Sequence, residues 1–279
     1  MSNNVPIIID NGSFEIRTGF ASKEISEIKK IPCIVGRQES EIFSDNINSK
    51  FYIGYDALNK KSNLTYSNPY YFGNITDFDL MTRLWQYILN FELKINPQEY
   101  PLMLTQNSFM KSQQKEKIFE IFFESFKTPS LFLGCQNSLA LFSKGYTSGL
   151  VLNCGESQTT VVPVFQGNKI SHASFYTELS GNTINKLIKE NINLDFIYND
   201  LKKEREFFYI FKSNYLSFSK DLSNNNKNII LPDGNTVQFN SNIVDICNVL
   251  FYPRNYNITS TSILQLINET IFELDKELK

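Results

Sequence analysis

The sequence predicts an α/β fold, and two features carry that prediction. Apolar runs with the length of buried strands alternate with segments whose apolar residues recur at helical spacing, through most of the 279 residues. The chain also contains 42% hydrophobic and 14% aromatic residues, which is enough to bury a large core in one domain or in two of ordinary size.

The first predicted elements are two strands joined by a tight turn, in the stretch IIIDNGSFEIRTGF at 7–20. A helix is predicted over 76–95, where apolar residues recur at helical spacing behind Thr76 or Asp77 as the N-cap. The run YPLMLTQ (100–106) then predicts a strand. This part of the chain therefore already alternates between strand and helix.

A second helix is predicted over 111–126, and it leads into PSLFLG (129–134), which we expect to be another buried strand. We interpret the aromatic stripes of both helices as core packing. In the second helix the broad apolar face consists of Ile118, Ile121, Phe122, Phe123 and Phe126.

The later part of the chain predicts a helical region at 199–222, whose charges form a solvated face, and a hairpin at 229–239 around Pro232-Asp233-Gly234. Two polar segments, 38–50 and 222–228, are predicted to be surface excursions rather than linkers between domains.

Composition and charge exclude several classes of protein. The formal net charge is −2, so no basic surface indicates nucleic acid and no polybasic run targets a membrane. No segment offers the roughly 18 uninterrupted apolar residues of a membrane helix, and we expect a soluble intracellular protein. The four cysteines lie far apart and are expected to be reduced and mostly buried, and a single histidine, His172, argues against a zinc cluster. The cysteines are Cys33, Cys135, Cys154 and Cys247.

One pattern occurs twice and points to chemistry. The stretch LVLNCGESQTTVVPV (150–164) repeats the plan of 7–20, with Asn153 in the place of Asp10 and a glycine two residues later in both. A strand, turn and strand with glycine at the tip can bring backbone N–H groups close to phosphate oxygens, and an acid at the strand end can hold the water shell of Mg²⁺. Such turns are also common in hairpins that bind nothing, so spacing alone leaves both interpretations open.

These stretches resemble the actin and actin-related family, and further stretches follow the family's order with few gaps: PCIVGR (32–37), YIGYDAL (52–58), FESFKTPSLFL (123–133), REFFYIFKSNYLSFSKDL (205–222) and LPDGN (231–235). The resemblance implies the actin fold, in which two ribonuclease-H-like halves enclose a nucleotide cleft. It implies a first half at 1–143, with a small inserted subdomain at about 33–69, and a second half at 144–279, with an insert at about 181–257. The sequence stops after helices that precede the family's adenosine loop (258–279), so we expect an incomplete second half. Either another protein covers its apolar faces, or the chain is a fragment.

The resemblance also implies site residues for ATP or ADP with Mg²⁺. It gives Asp10 an outer-sphere role at the metal, and Gly12 and Ser13 contacts to the terminal phosphates. Arg17 stands where the family has a phosphate-binding lysine, and Gln136 matches the glutamine that orients the attacking water. The remaining nucleotide-binding positions are Gly155, Glu156, Gly181 and the lysine expected beside the adenine, Lys212.

Departures from the family pattern are as specific as the matches. Phe14 and Ser157 replace glycines of the two loops, Asn153 replaces an aspartate, and Thr160 replaces a histidine that assists the water. On the second half, Tyr209 and Ser213 replace an arginine and a glutamate. Loss of one positioned proton-handling group typically costs a factor on the order of 10²–10⁴ in rate. We therefore expect a degenerate ATPase site in which Gln136 is vestigial and no catalytic residue can be named.

The function that follows is a largely non-catalytic actin-related subunit, able to bind ATP but hardly hydrolysing it, that caps, nucleates or scaffolds in a cytoskeletal or other multiprotein assembly. The alternative is an actin-like ATPase that polymerises, and a sugar kinase of the wider superfamily finds no motif for its catalytic aspartate. Expected partners are actin, other actin-related proteins or complex subunits, with no direct nucleic acid and no membrane. The expected location is the cytoplasm, with the nucleus as second choice.

Two further expectations concern single residues. The resemblance predicts a strand around His172, where we expect a buried, hydrogen-bonded imidazole. No positive charge is evident near Cys154 in the sequence, so we interpret it as a packing residue rather than a reactive thiol.

Overall fold

The structure, a computed structural model, describes residues 5–21, 27–38, 50–60, 64–192, 200–217, 227–230, 234, 236–239 and 243–277. The chain divides into two compact units. The first comprises residues 1–153 and 162–174, and the second comprises 154–161 and 175–279. Within the described ranges, no helix is both long enough and apolar enough to cross a membrane.

The first unit holds most of the strands. They are β1 (Ile7–Asp10), β2 (Glu15–Phe20), β3 (Lys29–Pro32), β4 (Val35–Gln38), β5 (Phe51–Ile53), β6 (Leu64–Ser67), β7 (Tyr70–Tyr71), β8 (Asn74–Ile75), β9 (Leu102–Gln106), β10 (Leu131–Cys135), β11 (Gly149–Cys154), β12 (Thr159–Phe165) and β13 (Asn168–Lys169). The end of β11 and the start of β12 belong to the second unit.

A mixed five-stranded sheet organises the first unit, in the order β10-β9-β1-β2-β3. Strands β10, β9 and β1 are parallel to one another, whereas β1 pairs antiparallel with β2 and β2 with β3. The carboxyl ends of three adjacent parallel strands therefore meet at one edge of the sheet, which is where ligand sites form in open α/β sheets. Smaller pairings join β4 to β5 and β6, and β7 to β8.

Helices of this unit are α1 (Tyr55–Asn59), α2 (Phe78–Tyr87), α3 (Ser112–Glu120) and α4 (Gln136–Phe142). The predicted helix at 76–95 is confirmed: α2 continues as a π-helical segment, Ile88–Glu92, and the Asp77 carboxylate caps its start by accepting a hydrogen bond from the Leu80 N–H at 2.9 Å. The predicted helix at 111–126 is likewise confirmed, since α3 continues as Ile121–Ser125.

One hydrophobic core holds the first unit together. Buried residues of β1 and β9 pack with the buried faces of α2 and α3, where Trp85 and Phe122 lie with their ring centroids 5.0 Å apart. Both rings are fully buried, and burial of a side chain of this size typically contributes about 1.5–3 kcal/mol. The aromatic stripes are therefore mainly core residues, as predicted.

The second unit contains β14 (Phe175–Thr177), α5 (Gly181–Asn191), α6 (Leu201–Asn214), β15 (Lys227–Ile230), β16 (Thr236–Phe239) and α7 (Ile263–Glu273). Its core is a separate cluster built around Phe207 and Phe211 of α6. The predicted hairpin at 229–239 is present as the antiparallel pair β15 and β16; of its predicted turn, Pro232 and Asp233 lie outside the described residues. The polar segments 38–50 and 222–228 also lie mostly outside them.

Three predictions about burial or local structure are wrong. Strand β10 is not buried on both faces: Phe132 is 61% exposed, because β10 is an edge strand and only the alternate side chains Leu131 and Leu133 face the core. Phe123 likewise lies at the margin of the α3 apolar face and is 44% exposed. His172 lies exposed in a turn rather than buried in a strand, since the following strand begins only at Phe175.

Cysteine burial also differs from expectation. Cys33 and Cys247 are buried, but Cys135 is half-buried and Cys154 is exposed. Cys154 is therefore not a packing residue. It lies at the end of β11, directly before the turn, where the strand no longer has a covered face.

Candidate nucleotide site

The first loop is a hairpin between β1 and β2, with Asp10 opposite Arg17 in the register. Gly12 is required at its tip, because a Cβ atom there would lie 2.5 Å from the backbone oxygen of Glu15. A residue between β6 and β7 also holds the loop: the Asn68 side-chain amide donates to the Ser13 backbone carbonyl at 2.6 Å. The loop therefore has a defined backbone path of the kind that phosphate-binding turns need.

Asp10 is held by one of its two carboxylate oxygens. Its Oδ1 accepts hydrogen bonds from the Thr105 hydroxyl at 2.7 Å and from the Gln136 amide at 3.1 Å. These three residues come from, or directly follow, three adjacent parallel strands. The other oxygen, Oδ2, receives no hydrogen bond from any described residue, so it can accept from the water shell of a hydrated Mg²⁺.

Thr105 is the centre of this network. Its hydroxyl oxygen also accepts from the backbone N–H of Asn11 at 3.0 Å, and the Asn11 side chain in turn accepts from the Trp85 indole N–H at 3.2 Å. Asn11 and Trp85 are both fully buried. The first loop is thus tied to the core of its unit through side chains that the sequence analysis did not single out.

The Gln136 amide nitrogen is fully used within the protein. Besides Asp10 it donates to the Asn11 carbonyl at 3.0 Å, and an amide carries only two hydrogens. Its carbonyl oxygen makes no hydrogen bond within the described ranges, and it remains the one group of this side chain able to orient a water. The main role of the Gln136 amide in this structure is therefore to hold Asp10 and the backbone of the first loop.

Arg17 forms an ion pair with Glu15. Its guanidinium lies 3.0 Å from the Glu15 carboxylate, and the Arg17 side chain is more than half exposed. Exposed pairs of this kind are worth about 0–1 kcal/mol. The guanidinium can therefore exchange this partner for an anionic ligand at little cost.

A buried tyrosine lies close to Asp10. The Tyr70 hydroxyl is buried and has no hydrogen-bond partner among the residues that the structure describes. Burial, followed by the nearby charges of Cys33 and Asp10, raises the pKa of Tyr70 well above its ordinary value. Tyr70 therefore keeps its proton and adds no negative charge beside Asp10.

The second loop resembles the first in the placement of its glycine. The Gly155 N–H donates to the Gln158 carbonyl at 2.9 Å, and a Cβ atom on Gly155 would lie 3.2 Å from that same oxygen. In both loops the glycine thus faces the carbonyl of the residue three positions later. This shared placement of the glycine is in line with the plan repeated in the sequence.

Glu156 of the second loop is bound on both carboxylate oxygens. Oε1 accepts from the Asn185 amide at 2.8 Å, and Oε2 lies 3.2 Å from the Lys212 ammonium. The carboxylate packs directly over Gly181, where a Cβ atom would lie 2.3 Å from Oε2. The structure therefore brings Glu156, Gly181 and Lys212 together, but as an internal ion pair with a supporting amide.

The residues that depart from the family pattern differ in how far they are buried. Ser157 and Thr160 are buried, whereas Asn153 at the end of β11 and Tyr209 on α6 are exposed. A neutral amide or hydroxyl at these positions cannot supply the charge or the proton transfer that an acid or imidazole would.

Sequence reasoning missed Thr105, Asn11, Asn68 and Asn185. A signal for Thr105 was present, because a polar residue near the end of the apolar strand at 100–106 lies at the same sheet edge as Asp10 when the strands are parallel. Asn68 and Asn185 carry no such signal, since their partners are distant in sequence and set by the fold.

A family model described as Actin matches residues 1–206. The chain belongs to the actin family. Its mixed α/β content and mixed sheet fit an actin-like fold.

Proposed function

We propose that this chain is a largely non-catalytic structural subunit of a multiprotein assembly, where it caps, nucleates or scaffolds filaments. The observation that carries the proposal is the ion pair between Glu156 and Lys212. It uses within the protein two side chains for which the family resemblance expects nucleotide contacts. A nucleotide has to displace that pair or bind without it.

The chemistry of the second loop supports the same proposal. Asn153 and Thr160 replace an acid and an imidazole, and Gln136 is already engaged with Asp10 and Asn11. Each missing positioned group typically costs a factor on the order of 10²–10⁴ in rate. The proposed subunit therefore turns over ATP slowly or not at all.

Nucleotide binding itself is part of the proposal. The fold we infer has two ribonuclease-H-like halves around a cleft. ATP or ADP and Mg²⁺ would be held by Asp10, Gly12, Ser13 and Arg17 from the first half. The second half would supply Gly155 and Glu156 of its loop, Gly181 at the start of α5 and Lys212 on α6. The first loop fits this role, because the Oδ2 oxygen of Asp10 is available and Gly12 leaves the loop backbone accessible. When bound, Mg²⁺ would supply charge neutralisation at the phosphates.

Exposed apolar side chains support the proposal that another protein binds this chain. Phe132 and Tyr146 of the first unit and Phe272 on α7 of the second are each more than half exposed. Large exposed apolar groups often mark protein interaction surfaces. We propose actin, another actin-related protein or another complex subunit as the covering partner, without direct contact to nucleic acid or membrane. The location we propose is the cytoplasmic cytoskeleton, with the nucleus second.

The alternative is a polymerising actin-like ATPase. It is favoured by the available oxygen of Asp10 and the free carbonyl oxygen of Gln136, which together could hold a metal-bound water and an attacking water.

The deciding experiment measures bound nucleotide and phosphate release on the native full chain, beside Asp10→Asn and Glu156→Gln. We expect phosphate release at least about 100-fold below that of conventional actin, and more bound nucleotide in Glu156→Gln because Lys212 is released. Glu204→Gln is the matched control, since Glu204 pairs with Lys189 in the same unit at 2.6 Å. Turnover near that of actin that disappears in Asp10→Asn would overturn the proposal.

Assembly is tested separately. At substoichiometric amounts the chain is expected to slow subunit exchange at the ends of actin filaments, with no requirement for added ATP. Sedimentation of the chain alone as filaments in Mg-ATP would favour the polymerising alternative instead.

A further inference from the structure

A cavity of about 670 Å³ lies along one strand of the first unit. Strand β5 and the residue before it form one side, because the four consecutive residues 50–53 all line the cavity. Consecutive side chains of a strand point to opposite faces of its sheet, so a cavity that meets all four residues runs along the edge of the strand. Its volume is in the range of protein sites that hold ligands.

The outer edge of β5 pairs with no other strand in the described part of the chain, since the order of its sheet is β5-β4-β6. Just after β5, the Gly54 N–H donates to the Ile34 carbonyl at 3.0 Å, on the side of β4. Backbone groups alternate in direction along a strand, so Tyr52 also faces β4, whereas Phe51 and Ile53 face away from it. Each of these two outward residues therefore presents an N–H and a C=O at the free edge.

Helix α2 forms another wall of the cavity. Arg83, Gln86 and Tyr87 line it, and their spacing of three and four residues places them on one face of the helix. The π-helical segment that follows adds Phe91, whose ring stacks on that of Tyr87 with the centroids 5.6 Å apart. Phe91 is 68% exposed. A free sheet edge beside side chains that can hold alternate residues is the arrangement that binds extended peptides by strand addition.

The charges around the cavity are mostly positive. Lys50, Lys60 and Arg83 line it, and among the described lining residues Asp56 carries the one carboxylate. The Lys60 ammonium lies 5.0 Å from the centroid of the Tyr52 ring, and the Arg83 guanidinium lies 4.3 Å from that of another ring of β5. Such contacts hold a cation in place and leave its charge intact. Neither Lys60 nor Arg83 forms an ion pair with a described residue, so both can meet an acidic ligand.

We propose that this groove binds an extended, acidic segment of a partner protein, which adds as a strand to β5; the expectation that the partner is a protein rests on the proposed function. Main-chain hydrogen bonds to Phe51 and Ile53 align the segment. Its carboxylates meet Lys60 and Arg83, and an aromatic or large aliphatic side chain packs on Phe91. Because β5 offers only two outward residues, the side-chain contacts supply much of the affinity.

The test titrates the native full chain, without actin or nucleotide, into a short fluorescein-labelled peptide in which glutamate alternates with valine around one phenylalanine. Fluorescence anisotropy should show saturable binding, which weakens at least about fivefold when NaCl is raised from about 50 mM to about 300 mM. A peptide with lysine in place of each glutamate should bind at least about tenfold more weakly. No saturable binding of the acidic peptide would overturn the proposal.

Variants of exposed side chains locate the site. Arg83→Glu should weaken binding of the acidic peptide about tenfold and strengthen binding of the lysine peptide. Phe91→Ser should also cost about tenfold, because it removes the apolar contact. Lys117→Glu is the matched control with the same change to an acid, since Lys117 is exposed on α3 and does not line the cavity. An effect of Lys117→Glu as large as that of Arg83→Glu would contradict the assignment of the groove.

Methylation of the peptide's backbone nitrogens separates strand addition from attraction between charges. In an added strand, alternate N–H groups of the peptide face β5 and the others face away. Two peptides methylated on the two alternate sets should therefore differ at least about tenfold in Kd. Equal affinities would overturn strand addition.

Two other occupants would also overturn the proposal. One is a single-stranded oligonucleotide that binds more tightly than the acidic peptide and loses affinity in Arg83→Glu. The other is a second copy of this chain, shown by self-association that Arg83→Glu abolishes. Because the assay contains neither actin nor nucleotide, a negative result would leave the filament and phosphate-release tests of the proposed function unaffected.

Discussion

Replacing Thr105 by valine tests the network that holds the first loop. Valine has nearly the same shape as threonine but no hydroxyl, so it keeps the packing of a side chain that is only 6% exposed. It removes the donor to Asp10 Oδ1 and the acceptor for the Asn11 N–H. The Gln136 amide nitrogen also loses its 3.2 Å contact with the Thr105 hydroxyl oxygen but keeps Asp10 and Asn11 as acceptors.

The expected cost follows from those two losses. A hydrogen bond to a charged group contributes about 1.5–3 kcal/mol, and a buried N–H left without a partner costs about 1–3 kcal/mol. Because both groups belong to one network, the terms do not simply add. We expect the free energy of unfolding of the first unit to fall by about 3 kcal/mol.

Urea unfolding followed by tryptophan fluorescence measures this change. The chain has a single tryptophan, Trp85, and its indole N–H donates to Asn11 at 3.2 Å, so the signal reports on the first unit and its loop. Thr105→Ser is the control, since it keeps the hydroxyl and should lose only about 1 kcal/mol for the methyl group. A loss below about 0.5 kcal/mol in Thr105→Val would refute the reasoning.

Three further predictions follow from single contacts. Tyr70→Phe should leave the free energy of unfolding unchanged or raise it by about 1 kcal/mol, because it removes a buried hydroxyl that has no partner among the described residues. Tyr256→Phe should lower it by about 1 kcal/mol, because the Tyr256 hydroxyl donates to a backbone carbonyl at 3.0 Å. A loss of stability in Tyr70→Phe would contradict the absence of a partner for that hydroxyl. Gly12→Ala should lower the thermal midpoint more than Gly155→Ala, since the added Cβ meets a backbone oxygen at 2.5 Å rather than 3.2 Å; equal midpoints would refute the close contact in the first loop. Burial, followed by Asp245 and Cys247, raises the pKa of Tyr256 from 10.0 to about 12 in the folded state. The contribution of Tyr256 to stability is therefore complete below pH 10 and is lost as the pH rises toward 12. Urea titrations at pH 9 and 11 should show a fall in the free energy of unfolding that is smaller in Tyr256→Phe.

The local elements were predictable because they depend on neighbours in sequence. The helix at Phe78–Glu92 follows from apolar spacing behind Asp77, and both glycine turns follow from the repeated plan at Asp10 and Asn153. Short-range rules suffice for these features, because the groups that interact are within a few residues of each other.

Side-chain partners across the fold were not predictable. Glu156 and Lys212 lie on different elements 56 residues apart, and nothing in either segment indicates that they pair. The exposure of Phe132 depends on β10 lying at the sheet edge, and strand order cannot be read from the apolar run itself. His172 was placed wrongly because the family resemblance implied a strand where the chain makes a turn.

The hydrogen bonds around Asp10 affect what its presence indicates in a family member with a degenerate ATPase site. Its Oδ1 oxygen joins the ends of three strands through Thr105 and Gln136, so either of two substitutions, at Asp10 or at Gln136, would disturb the sheet edge even in a chain that never meets ATP. Selection for a stable fold would then be sufficient to preserve both residues in a family member that does not hydrolyse ATP. The informative position is the Oδ2 side of Asp10, where only a ligand would impose a constraint.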